Sequence, residues 1–142
     1  MEKLNSKKKI AVFISGRGSN LKNLINYSKL KKSSFKVCLV LSNKSNAKGL
    51  KYAKINKIKK YVFEKRLSLF EKKALKLIKK FNINIVCLAG FMRILTPLFL
   101  KRVKIPVINI HPSLLPRLRG LNTHSRAIKA KLKYSGCTVH FV

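Results

Sequence analysis

Asn109 and His111 stand two residues apart at the end of an apolar run, Val107-Ile108-Asn109-Ile110-His111, that breaks at Pro112. Alternation along a strand sends both side chains to the same face. Proline lacks an N–H and cannot continue a central strand, so His111 falls at the strand's carboxyl end. In an open α/β sheet, ligands bind at that edge. An amide beside an imidazole there suits acyl chemistry, one polarising a carbonyl and the other moving protons. The alternative reading of these residues is a strand end whose Asn and His cap a turn.

A second stretch suits anion binding. Ser15-Gly16-Arg17-Gly18-Ser19-Asn20 follows the apolar run Ile10–Ile14 and precedes Leu21, Leu24 and Ile25 at helical spacing. Strand, glycine-rich turn and helix aim free backbone N–H groups at an anion. The glycine spacing is not that of a dinucleotide fingerprint, and no Gly-Lys-Ser/Thr closes a P-loop. A glycine turn needed only for tight packing is the alternative.

These residues need a scaffold, and the rest of the chain reads as an α/β domain. Strands are expected at Ile10–Ile14, Phe35–Leu41, Lys60–Phe63, Ile85–Gly90, Val107–His111 and Gly136–Val142. Helices are expected after Gly18, over Ala47–Lys57 with Leu50, Ala53 and Ile55 inward, and over Leu69–Phe81. Further helices are expected after Thr96-Pro97 and from Asn122 to about Lys131. Thr96 reads as an N-cap with proline at the first helical position. Strands alternating with helices argue a Rossmann-like, mostly parallel sheet with helices on both faces. One domain is expected over 9–142, with 1–8 as a basic tail.

Composition sets further bounds. No apolar run is long enough to span a membrane, and the polar, lysine-rich start is not a signal peptide. Cys38, Cys87 and Cys137 each sit in an apolar run and read as reduced, buried thiols of a cytoplasmic protein. The three His and three Cys have no metal-ligand spacing. Thirty-four Lys and Arg against three acids give a net charge of +31, with no aspartate anywhere. Concentrated arms mark specific nucleic-acid binders, whereas here the lysines are scattered through every element among many Asn and Ile. That scatter reads as a codon bias towards A and T. No specific nucleic-acid or membrane partner is expected, and the field favours polyanionic substrates.

Four motifs occur in order: the Ser15–Asn20 loop, Leu88-Ala89-Gly90-Phe91-Met92-Arg93-Ile94-Leu95, Asn109-Ile110-His111-Pro112-Ser113-Leu114-Leu115-Pro116 and Gly136-Cys137-Thr138-Val139-His140. Together they closely resemble the phosphoribosylglycinamide formyltransferases, a folate-dependent family of purine synthesis, over Lys9 to Val142. Methionyl-tRNA formyltransferase and formyltetrahydrofolate hydrolase share the Asn-x-His pair and are the alternative reading, with a non-catalytic basic nucleic-acid-binding protein as the second. Pro112 and the Gly120–His124 segment resemble the ribonucleotide branch.

The resemblance implies formyl transfer from 10-formyltetrahydrofolate to glycinamide ribonucleotide, both small molecules, without a metal. It implies that Gly18, Ser19 and Asn20 hold the ribonucleotide phosphate, with Gly18 letting the backbone approach closely. Met92, Arg93, Ile94 and Leu95 would line the folate site together with Asn109. Asn109 and His111 would be catalytic, and His140 a further active-site histidine. The family also carries an aspartate a few residues beyond the Thr138–Val142 segment, and this sequence has none. The expectation is therefore that the carboxyl-terminal portion of the domain is missing and that these 142 residues alone make a poor enzyme.

Overall fold

The computed structural model describes residues 6–142. Residues 1–5, most of the segment read as a basic tail, lie outside the described residues. The described end of that segment is tied down. Lys7 Nζ donates to the carbonyls of Ser28 and Leu30 at 3.1 and 2.8 Å, and the first strand begins at Lys8.

Six strands form one sheet: β1 (Lys8–Ile14), β2 (Phe35–Ser42), β3 (Lys59–Val62), β4 (Ile85–Leu88), β5 (Val107–His111) and β6 (Thr138–Phe141). Their order is β3-β2-β1-β4-β5-β6. Neighbours from β3 to β5 pair in parallel, and β6 runs antiparallel to β5. The helices are α1 (Ser19–Ser28), α2 (Leu50–Ile55), α3 (Leu67–Lys80), α4 (Pro97–Val103) and α5 (Thr123–Lys129). None of the described helices is long and apolar enough to cross a membrane.

Both faces of the sheet are covered, which is why its central strands read as unbroken apolar runs. Ile10, Val12 and Ile14 pack with Leu21 and Ile25 of α1 and Ala53 of α2. Ala11 and Phe13, pointing the other way, pack with Phe70, Ala74 and Ile78 of α3 and Phe99 and Val103 of α4. Phe13 meets Phe70 edge-on with ring centroids 5.3 Å apart. Thr96 is the expected N-cap, its hydroxyl accepting from Phe99 N at 3.1 Å.

Several boundaries differ from the sequence reading. Helix α2 is confined to six residues, and Ile55 at its end is 73% exposed rather than inward. The helix stops because the Asn56 side chain donates to the Tyr52 carbonyl at 2.7 Å and Lys57 turns to φ +54°. Gly90 leaves the sheet at φ +73°, so β4 ends earlier than expected. Strand β2 slips register against β1 at Cys38, so Val37 and Val40 lie on one face although three residues apart. Of the three thiols, Cys87 is buried, Cys38 half-buried and Cys137 exposed, because Cys137 precedes β6 at the sheet's edge.

Candidate active site

Strands β1, β4 and β5 are neighbours at the centre of the sheet, and their carboxyl ends release the three loops that carry the motifs. The order reverses between β1 and β4: α1 covers one face and α4 the other. A crevice forms at such a switch point because consecutive loops leave in opposite directions.

Asn109 and His111 alternate onto one face of β5. In the antiparallel β5–β6 pair, Asn109 stands opposite His140 and His111 opposite Thr138. Opposed residues of an antiparallel pair share a face, so four polar side chains meet there. Their hydrogen bonds fix the proton positions. His140 Nδ1 lies 2.9 Å from the Phe141 carbonyl oxygen, which only accepts, so Nδ1 carries the hydrogen. In the neutral ring, Nε2 then accepts from the Asn109 amide nitrogen at 3.3 Å. This leaves Asn109 Nδ2 with a second hydrogen to donate. His111 Nε2 lies 3.1 Å from the Leu118 carbonyl, so it is the donor and Nδ1 is the basic nitrogen of the neutral ring.

The loop after His111 is fastened to β6. Thr138 Oγ1 donates to the Ser113 carbonyl at 2.7 Å and accepts from Leu115 N at 3.0 Å. The buried Ser113 hydroxyl donates to the Arg117 carbonyl at 2.7 Å. These bonds hold the turn that presents Leu118 to His111.

Helix α1 starts from Gly18, whose φ of +75° is left-handed and suits glycine. Its first internal bond runs from Lys22 N to the Gly18 carbonyl, leaving the N–H groups of Ser19, Asn20 and Leu21 without helical partners. No side chain among the described residues caps them. That end of the helix favours an anion by about 0.3–1 kcal/mol. A Cβ on Gly18 would lie 2.5 Å from Gly49 Cα, so the missing side chain admits the Gly49 backbone.

The loop from Phe91 to Leu95 is anchored at both ends. The Phe91 ring lies 5.0 Å from that of Phe70, and Leu95 is buried in the same core. Between them Met92, Arg93 and Ile94 are exposed, Ile94 at 90%. Met92, Arg93 and Ile94 therefore have free side chains, whereas Leu95 has only its backbone to offer.

The known formyl transferase domain matches residues 8–142. The chain belongs to the formyl transferase family. It is 42% identical over 139 residues to the phosphoribosylglycinamide formyltransferase of Haemophilus influenzae, covering 95% of this chain and 66% of that one. It is 41% identical over 140 residues to the human trifunctional purine biosynthetic protein adenosine-3, covering 96% of this chain and 14% of that protein. Among solved structures, phosphoribosylglycinamide formyltransferase from Brucella melitensis superposes with a TM-score of 0.89 at 37% identity, over 95% of this chain and 72% of that one. The chain thus spans about two thirds of the bacterial relative and a small part of the trifunctional one.

Three polar residues of this member of the formyl transferase family were given no role in the sequence reading. Ser15, Asn43 and Glu71 are all buried, at 5, 6 and 7% exposure. Glu71 accepts from the backbone N and hydroxyl of Thr96 at 2.7 and 2.8 Å, fixing the far end of the Phe91–Leu95 loop. Its signal was available: it is one of three acids, set beside Phe70 on an otherwise basic helix.

Proposed function

We propose that this chain transfers the formyl group of 10-formyltetrahydrofolate to the primary amine of glycinamide ribonucleotide. The observation that carries this reading is the Asn109 amide, held by His140 with its second hydrogen free and with His111 two residues on. The names of the relatives support the choice of substrates. The exposed apolar Met92 and Ile94 fit a flat folate ring beside Arg93, and the start of α1 at Gly18, Ser19 and Asn20 fits a phosphate.

In this mechanism the amine nitrogen bonds to the formyl carbon, the carbon's bond to the folate nitrogen breaks, and tetrahydrofolate leaves. Asn109 Nδ2 donates to the formyl oxygen as negative charge grows there, an effect worth roughly 2.7–4 kcal/mol of barrier. His111 Nδ1 takes the proton that the amine sheds and returns it to the departing nitrogen. His140 acts through Asn109 and is a positioning residue. Both substrates are water-soluble metabolites, which fits work in the cytoplasm.

The test supplies 10-formyltetrahydrofolate and either glycinamide ribonucleotide or initiator methionyl-tRNA, with products read by mass spectrometry. Slow formylation of the ribonucleotide is expected, since these 142 residues carry no aspartate to hold His111. Asn109→Ala and His111→Ala should each lower turnover by about 10²-fold or more while folate affinity stays nearly unchanged. Formylation of the tRNA alone, or release of formate without an acceptor, would assign a different reaction of the family. Nucleic-acid binding with no formyl transfer would make the basic surface the function.

A further inference from the structure

At the switch point the β1–β4 ladder closes with Ala89 N donating to the Phe13 carbonyl at 2.9 Å, after which the two chains part. Ser15 spans the parting. Its backbone N donates to the Gly90 carbonyl at 3.1 Å, and its hydroxyl accepts from Met92 N at 2.7 Å. The same hydroxyl donates to Asn43 Oδ1 at 2.5 Å, at the end of β2. A hydroxyl has one hydrogen, so giving it to Asn43 leaves only lone pairs for Met92.

We propose that Ser15, with its hydroxyl aimed by Asn43, is a positioning residue that sets the orientation of the Phe91–Met92 peptide in the crevice. Phe91 and Leu95 fix where the loop lies, because their side chains are packed against the core. They do not fix which way the intervening peptide faces. Met92 N–H turned inward to Ser15 sends the Phe91 carbonyl outward, since a trans peptide is planar with the two groups opposed. Ser15 is also one residue before Gly16, which accepts from Gly49 N at 2.9 Å. One buried hydroxyl therefore ties the loop proposed for folate to the start of the loop proposed for phosphate.

The folate half of this inference rests on the proposed function, so the experiment has one arm without ligand and one with it. The first arm follows hydrogen exchange at the Met92 amide in the wild-type protein, Ser15→Ala and Ser15→Cys, the last keeping the volume while accepting poorly. Both variants should speed exchange about tenfold, with the melting temperature lowered by a few degrees for the lost buried hydrogen bonds. The second arm titrates tetrahydrofolate by calorimetry. Loss of one neutral hydrogen bond predicts a Kd about 3- to 10-fold weaker, with ribonucleotide affinity changed less than twofold. Asn43→Asp, which still accepts from Ser15, should keep the slow Met92 exchange at some cost in stability, whereas Asn43→Leu should follow Ser15→Ala.

Unchanged Met92 exchange in a folded Ser15 variant would overturn the inference. So would equal losses of affinity for both ligands, the mark of a general structural role. Failure of the wild-type protein to bind tetrahydrofolate, with Met92 exchange still dependent on Ser15, would overturn the proposed function and leave the positioning of the loop standing.

Discussion

The Asn109–His140 contact separates orientation from chemistry in a single pair of side chains. An asparagine amide presents either a donor or an acceptor to a ligand, and only its neighbours decide which. Here the Phe141 carbonyl fixes the proton on His140 Nδ1, and the free Nε2 then selects the amide nitrogen of Asn109. His140→Phe should therefore lower kcat by about fivefold, the value of one ~1 kcal/mol hydrogen bond, without changing folate KM. A fall in kcat as large as that of Asn109→Ala would mean that His140 itself touches the reacting groups. The thiols differ by the same local logic. Burial raises the Cys87 thiol from 9.0 to about 11, and burial also raises Cys38, against the opposing pull of Lys36 and Lys9. A folded-state value above the unfolded one means that stability from protonated Cys87 is complete below 9.0 and is lost as pH climbs through about 11. Alkylation at neutral pH should mark the exposed Cys137 first and Cys87 only on unfolding, followed by peptide mass mapping.

At the scale of elements, two short contacts fix the loops that the strands release. Glu71 joins α3 to the N-cap of α4 through two hydrogen bonds to Thr96. Glu71→Leu leaves the Thr96 backbone N–H without that acceptor and should destabilise the fold by about 1–3 kcal/mol in urea unfolding. Glu71→Gln keeps a carbonyl oxygen there and should cost clearly less. Equal losses would show that the charge, not the acceptor, holds the contact. Gly18 and Gly49 form the other contact, where α1 and the turn before α2 touch backbone to backbone. Gly18→Ala combines a left-handed residue, worth about 1–2 kcal/mol, with the collision at Gly49. It should lower the melting temperature even when no ligand is present. A variant with native stability but weaker ribonucleotide binding would return Gly18 to a direct role at the phosphate.

For the whole molecule, the dominant quantity is a net charge of +31 on 142 residues. Such an excess condenses onto any polyanion by releasing counterions, whatever the site beside it does. Weak binding to DNA and RNA is expected that falls steeply between 50 and 200 mM salt, with no preference for sequence. Filter binding across a salt series measures this. Sequence-selective binding that survives the higher salt would argue for a built nucleic-acid site. The same field should draw the ribonucleotide phosphate towards α1, so the ribonucleotide on-rate should fall with salt more than that of a neutral ligand.

By itself the sequence determined the sheet, the covered faces and the strand end that carries Asn109 and His111, because those follow from local periodicity. Unbroken runs such as Ile10–Ile14 predict strands buried on both faces, and Pro112 places His111 at a strand end. Thr96-Pro97 marks a helix start for the same local reason. Tertiary structure alone decided what lies far apart in sequence and close in space. Ser15 and Asn43 are 28 residues apart, Met92 lies 77 beyond Ser15, and Glu71 reaches Thr96 across 25. Nothing in their neighbours announces those partners. The packing need at Gly18 was also visible only in the fold, since what lies against a missing Cβ depends on what the chain brings to that side. Likewise Asn109, whose amide can face either way in an isolated strand, acquires one orientation only because β6 returns antiparallel and sets His140 against it.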